Sequence, residues 1–200
     1  MRNARQAPSV HVLQSGFMVR DGPRIVDASS TVTLVQSTGQ ILVVDTGAPS
    51  DMQKITSALR ALGFKSTSVG YVVNTHLHID HIGCNHLFEN ARLVAHRLED
   101  PPVGTLRLSE RTTLLQNVEI VSTPGHSAGS LSVFVTAERK YAIVGDAIPT
   151  KANYDQHVPP FLNMNKALAL KSMDMILEWA DVVVPGHDSP FEVLGKKYDG

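Results

Sequence analysis

Two hundred residues carry 18 Lys and Arg against 19 Asp and Glu, a formal net charge of −1. With no basic run longer than the pairs Arg139-Lys140 and Lys196-Lys197, the chain advertises neither a nucleic-acid nor a membrane surface. The one cysteine, Cys84, excludes an internal disulfide and fits a reducing compartment, and the length suits a single domain spanning residues 1–200.

The first eight residues hold Arg2 and Arg5 without an apolar run behind them. A secretory signal is therefore not expected, no stretch is apolar enough to span a bilayer, and a cytoplasmic protein is the expectation. Val10–Leu13 and Phe17–Val19 read as strands paired around Ser15-Gly16, and Asp21-Gly22-Pro23 as a loop. Thr31–Gln36 alternates and turns through Ser37-Thr38-Gly39 into Ile41–Val44, which predicts a half-buried hairpin. Asp45-Thr46-Gly47 then ends the strand with a carboxylate and a flexible residue, the pattern of a tight turn or of an Asx-turn.

Ser50 with Gln53 signals a capping box, and Ile55, Leu59 and Leu62 form an apolar stripe that Gly63 stops. A short helix is expected over 83–90 with Leu87 and Phe88 inward, and Arg92–Ala95 reads as a strand. Glu99-Asp100-Pro101-Pro102 breaks regularity. Strands follow near Thr113–Leu115, Val118–Ser122, Leu131–Thr136 and Tyr141–Val144. Lys166–Ala180 has helical periodicity with Leu170, Met173, Ile176, Leu177 and Ala180 on one face, and Val182–Val184 reads as a buried strand. Strand runs bracketed by one early and one late helix suggest two packed sheets with helices outside.

The chemistry concentrates where the hydrophobic run Tyr71–Val73 gives way to Thr75-His76-Leu77-His78-Ile79-Asp80-His81. Four titratable groups in seven residues would cost several kcal/mol in desolvation and mutual repulsion unless a cation compensates. Imidazole and carboxylate at this spacing are what borderline divalent metals bind. If the segment is extended, His76, His78 and Asp80 face one way and His81 the other, which suits two adjacent metals. Three more strands end in the same manner: Val121 before Gly125-His126, Val144 before Gly145-Asp146, and Val184 before Pro185-Gly186-His187. In each, a glycine frees the backbone just before a ligand-type side chain.

This ordered set, from Thr75–His81 through Gly125-His126 and Gly145-Asp146 to Pro185-Gly186-His187, resembles the metallo-β-lactamase superfamily over about residues 31–194. The resemblance implies a four-layer αβ/βα sandwich, one metal held by His76, His78 and His126, and a second held by Asp80, His81 and His187, with Asp146 bridging both. Asp146 stands where many true β-lactamases resemble one another in having cysteine, which sets antibiotic hydrolysis behind other reactions. His78 stands where the diiron flavoprotein branch has glutamate, and with 13 residues after His187 the helical appendage of glyoxalase II is not expected. Thr31–Leu34, Ile41–Gly47 and Ala180–His187 resemble a branch whose chemistry implies RNA hydrolysis.

Two divalent ions bring four charges, and Asp80, Asp146 and a bridging hydroxide return three. The remainder of about +1 favours an electron-rich group and the oxyanion formed on attack. Hydrolysis by a metal-bridging hydroxide is thus expected, with Asp80 orienting the nucleophile and later carrying its proton. All-imidazole-and-carboxylate ligation suits two zinc ions first, with iron or manganese as alternatives. A small ester, thioester or lactone is the leading substrate, RNA or another phosphodiester the second and a non-catalytic metal-stabilised binding module the third reading, with a mononuclear iron oxidoreductase resembling the persulfide dioxygenases and a β-lactamase as further alternatives. The resemblance also makes a homodimer an option.

Substrate selection is expected from Ala147–Asn165, read as a long aperiodic connection. Its Tyr154 is a candidate donor to an oxyanion or leaving group, or else a residue that packs the loop. Phe17 and Met18 are read as an ordinary buried edge, with an apolar flap over the site as the alternative. His11, His86, His96 and His157 are assigned no ligand role, and Cys84 is read as packing.

Overall fold

A computed structural model of the chain describes residues 7–194; the basic start of the chain and the Lys196-Lys197 pair lie outside the described residues. The first half runs β1 (Ser9–Gln14), β2 (Phe17–Asp21), β3 (Arg24–Ser29), β4 (Val32–Ser37), β5 (Gln40–Val44), α1 (Met52–Ala61), β6 (Tyr71–Val73), α2 (Ile79–Ile82), β7 (Arg92–His96) and β8 (Leu106–Leu108). The second half continues with β9 (Thr112–Leu115), β10 (Val118–Ser122), β11 (Leu131–Thr136), β12 (Lys140–Gly145), α3 (Lys151–Gln156), α4 (Lys166–Trp179), β13 (Val182–Pro185) and β14 (Phe191–Glu192).

Two six-stranded sheets face each other, ordered β1-β4-β5-β6-β7-β8 and β14-β13-β12-β11-β10-β9. Strand alternation divides their side chains into three apolar layers. Between the sheets lie Leu42, Val44, Val73, Ile120, Leu131, Val133, Ile143 and Val184. The opposite faces turn outward: Leu34, Ile41, Val43 and Val72 meet Ile55 and Leu59 of α1, and Phe134, Ala142, Val144 and Val183 meet Met173 and Ile176 of α4. The order is therefore helix, sheet, sheet, helix, the expected αβ/βα sandwich. Each fully buried Val, Leu or Ile contributes about 1.5–3 kcal/mol relative to exposure, so these layers fix the frame on which the loops hang.

Because both sheet faces are covered, the β4–β5 hairpin is buried on both sides and not half-buried as expected. The strands β1 and β2 exist but do not pair with one another. A Cβ on Gly16 would collide with backbone of Ser29, Thr31 and Gly186, and at this close passage the chain divides. β1 goes antiparallel to β4, while β2 pairs with β3 across Gly22, at φ +57°, as a separate two-stranded ribbon.

Helix α1 is not capped by Ser50. A single 3-10 turn, Pro49–Asp51, precedes it, and the buried Asp51 carboxylate accepts from Ala48 N–H at 2.9 Å and from the Ser29 hydroxyl. Gly63 follows the helix at φ +81°, as predicted. The helix expected over 83–90 is only a 3-10 turn, Asn85–Leu87, although Phe88 is buried. The 147–165 connection is not aperiodic coil: α3 forms inside it. No helix among the described residues is long and apolar enough to cross a membrane.

Candidate metal centre

In the first sheet β5 and β6 are parallel, and in the second β12 and β13 are parallel while β10 and β12 both oppose β11. Parallel strands release their next residues at one edge, and there the loops after β5, β6, β10, β12 and β13 meet. The structure brings together all seven predicted ligands: His76, His78 and His126 form one group, Asp80, His81 and His187 a second, and Asp146 a third with His76 and His81, every donor atom in a group lying within 4.8 Å of the others. The extended alternation expected across Thr75–His81 does not hold: the strand ends at Val73 and the chain bends at Thr75 and His76. From Ile79 the chain enters α2, where His81 N–H donates to His78 C=O at 2.9 Å. That helical turn swings His81 back beside His76, ring centroids 4.0 Å apart, and aims Asp80 toward His187.

The tautomers follow from the hydrogen bonds. His126 Nδ1 lies 2.7 Å from Leu162 C=O, and His187 Nδ1 lies 3.0 Å from Ser29 C=O and 3.2 Å from Phe17 C=O. A carbonyl can only accept, so both Nδ1 atoms carry protons and both Nε2 atoms turn inward. His81 Nδ1 donates to Asp45 Oδ2 at 2.8 Å with the same result. Inward, His81 Nε2 and His187 Nε2 stand 3.3 Å apart, His76 Nε2 and His78 Nδ1 3.0 Å, and His78 Nδ1 and His126 Nε2 3.2 Å. Donors at about 2.0–2.1 Å around a tetrahedral cation sit roughly 3.3 Å from each other. Asp146 spans the two groups: Oδ1 is 3.1 Å from His187 Nε2 and 3.4 Å from His81 Nε2, and Oδ2 is 3.5 Å from His126 Nε2. Its buried Oδ1 has no hydrogen-bond partner. Converging imidazole nitrogens and an orphaned carboxylate oxygen fit divalent cations and leave protein contacts alone unsatisfied.

The electrostatics agree. Burial, and then the neighbouring His81, holds the His76 imidazole well below its ordinary pKa; burial and then His126 lower His78. Burial opposes charge on His81, but Asp45 and Asp146 outweigh it and push that pKa well above the ordinary value; His187 is raised against its burial by Asp146. Asp146 is held well below the usual carboxylate range, His187 and His81 overcoming its burial. A histidine must be neutral at the nitrogen that binds a cation, so cation binding at these groups competes with protons.

His76, His81, His126, Asp146 and His187 are buried, whereas His78 is exposed and Asp80 half-buried. These last two open onto a cavity of about 540 Å³. Met18, Ile25, Val26 and Ala28 of the ribbon wall one side, and Pro160, Phe161 and Leu162 the other. The ribbon is thus the flap, not the buried edge, and Phe17 is 38% exposed. Arg20 stacks over the Phe161 ring at 4.0 Å, linking the two walls. Tyr154 does not line this cavity. Its ring stacks on Phe191 at 4.9 Å and its hydroxyl accepts from Leu194 N–H at 3.0 Å, because α3 turns it toward the core beneath α4. The packing alternative holds for it. His157 pairs with Asp174 at the surface, His96 caps a 3-10 turn, and Cys84 is buried in the core.

Two carboxylates with no assigned role in the sequence reading hold the ligands. Asp45, at φ +55°, accepts from Thr75 N–H at 2.7 Å, from Thr75 Oγ1 at 2.8 Å and from His81. Its signal was a carboxylate at a buried strand end before Gly47. Glu99 accepts from Leu77, between His76 and His78, and from Ser127 and Gly129, just after His126, and its position before Pro101-Pro102 gave no sign of this.

A family model described as the metallo-beta-lactamase superfamily matches residues 26–113. Over 183 residues the chain is 33% identical to a Methanocaldococcus jannaschii protein named a probable metallo-hydrolase, covering 90% of this chain and 86% of that one. The chain belongs to the metallo-beta-lactamase superfamily. Within the superfamily it is 30% identical to metallo-beta-lactamase domain-containing protein 1 of Xenopus laevis, covering 93% of this chain and 82% of the relative. It is 27% identical to an N-acyl homoserine lactonase of Bacillus cereus, covering 84% and 77%. The superfamily sandwich recurs in Bacillus thuringiensis AiiA with N-decanoyl-L-homoserine bound at its active site, at TM-score 0.71 and 20% identity, covering 92% of this chain and 93% of that one. Membership of this superfamily, together with the converging His and Asp donors, indicates a metal-dependent hydrolase.

Proposed function

We propose that the chain is a dinuclear zinc hydrolase that opens a carboxylic ester, thioester or lactone. The observation that carries this reading is the bridging position of Asp146, one oxygen toward each histidine group, beside a half-buried Asp80 that faces the cavity. His76, His78 and His126 would hold one ion and Asp80, His81 and His187 the other. Bound there, divalent cations supply a water that ionises near neutral pH and an electrophilic partner for the carbonyl oxygen.

The chain's own groups do the rest. Asp80 Oδ2 lies 3.6 Å from His187 Nε2 and 4.0 Å from His81 Nε2, which leaves its other oxygen to orient the attacking water, accept its proton and hand that proton to the departing alkoxide or thiolate. Met18, Ile25, Val26 and Leu162 exclude bulk water and seat the apolar part of the substrate. The lining favours a carbonyl substrate over RNA: outside the metal ligands it is largely apolar, and its charged residues Arg20 and Asp27 offset one another, so it offers no basic track for a phosphate backbone. The named lactonase relatives support the same choice.

The test is a panel of a lactone, a thioester, a carboxylic ester, a β-lactam, a phosphodiester and single-stranded RNA, offered to zinc-loaded protein. Turnover of the carbonyl compounds that is lost on chelation is expected. Turnover of RNA alone would overturn the substrate assignment.

A further inference from the structure

Glu99 ends a short turn after β7, away from the donor atoms themselves, yet its carboxylate reaches two loops that are far apart in sequence. Oε2 accepts from Leu77 N–H at 3.2 Å, the peptide between His76 and His78. Oε1 accepts from Ser127 Oγ at 2.6 Å and from Gly129 N–H at 3.0 Å, immediately after His126. The approach is so close that a Cβ on Gly129 would stand 2.7 Å from Glu99 Cγ and Oε1. The second loop is itself stiffened, since Ser127 N–H donates to Ser130 Oγ at 3.1 Å and Gly125 N–H to Ser127 C=O at 2.9 Å. From the other side the turn carrying Glu99 is pinned by its cap, where His96 accepts from Leu98 N–H.

We propose that Glu99 is a positioning residue for one half of the centre: it locks the His76–His78 loop to the His126 loop and so sets the cation affinity of that triad. The inference rests on reading the cluster as a dinuclear site. Asp45 differs in reaching both halves, since it bonds His81 directly and also Thr75, the neighbour of His76. A carboxylate is required at position 99 because all three of its partners donate, and a carboxylate only accepts. Glutamine fills the same volume but turns one accepting oxygen into an NH₂ that faces a donor.

The experiment is a chelator-competition titration of metal-free wild-type, Glu99→Gln and Asp45→Asn proteins with Zn²⁺, repeated with Co²⁺ for its absorption spectrum. Loss of outer partners of metal ligands lowers affinity about 10–100-fold. In Glu99→Gln one of two equivalents is expected to weaken about tenfold and the other by less than about twofold, with the cobalt bands of one site altered; Asp45→Asn, whose carboxylate holds both His81 and the Thr75 beside His76, is expected to weaken both equivalents. Ser127→Ala, which removes one bond and keeps the carboxylate, is expected to weaken the same equivalent as Glu99→Gln by a smaller factor. Equal weakening of both equivalents in Glu99→Gln and Ser127→Ala, or no change in either, overturns the proposal. The titration reads cation affinity without substrate: a wild-type that binds two zinc ions and cleaves no ester overturns the substrate assignment and not this one.

Discussion

In and beneath the floor of the cavity, His81, His126 and His187 each have the outward ring nitrogen fixed by a carboxylate or a carbonyl, so the inward one has a single orientation. The roof is made otherwise. The β2–β3 ribbon is largely exposed on both strands, and it meets the Val158–Leu162 segment across the mouth through one cation–π contact. Burial and acceptor geometry leave the floor no freedom, while the roof can change its side chains at little cost to the fold. The difference assigns reaction chemistry to the floor and substrate choice to the roof, and each prediction below strains one of them.

The largest effect belongs to Asp80. Asp80→Asn keeps the shape but loses the proton carrier, so kcat is expected to fall about 10²–10⁴-fold, with elemental analysis showing a much smaller loss of metal. Next is Asp45→Ala, which leaves the buried Thr75 N–H and His81 Nδ1 without their acceptor. Metal affinity should drop about 10–100-fold, and denaturant unfolding of the metal-free protein should show about 1–3 kcal/mol less stability.

Asp51 strains the frame beneath the floor. Burial opposes its charge, but the Ser29 hydroxyl, Gln14 and the Ala48 N–H together lower its pKa. A carboxyl with a lowered folded-state pKa stabilises above its unfolded value, about 3.9, and that contribution is lost as pH falls through the folded value. Asp51→Asn should therefore lower the midpoint of urea unfolding at pH 7 and show a shallower further loss than wild-type on acidification below about pH 4.

The roof gives smaller numbers. Arg20→Ala removes a cation–π contact worth about 0.5–1 kcal/mol at an exposed position. It is expected to change kcat/KM about 2–5-fold for substrates with a bulky apolar group and to leave small esters and metal content unaffected. Smallest of all is Tyr154→Phe, which deletes one hydroxyl acceptor at the margin of the apolar layer beneath α4: steady-state kinetics should match wild-type.

The sequence made the floor readable because its ligands sit in short-range patterns, each a buried strand followed by glycine and a donor. Asp146 and His187 are drawn to the Thr75–His81 cluster by strand order alone. Much else depends on contacts that no local pattern encodes. The ribbon separates from β1 because Gly16 passes against Gly186, 170 positions away, and nothing near Phe17 announces that. Helix α3 escaped a search for apolar periodicity because it is short and none of its residues is buried. Asp45 resembled a turn former until its three donors were in place, and Glu99 bonds only to residues 22 to 30 positions distant.

The most direct measurement is elemental analysis of protein stripped by chelator, reloaded with Zn²⁺ and freed of excess, alongside Asp146→Ala treated identically. A cluster that shares Asp146 predicts close to two zinc ions per chain in wild-type and a loss from both positions in the variant. A wild-type that retains one ion or none, or a variant that still retains two, would contradict the shared dinuclear centre.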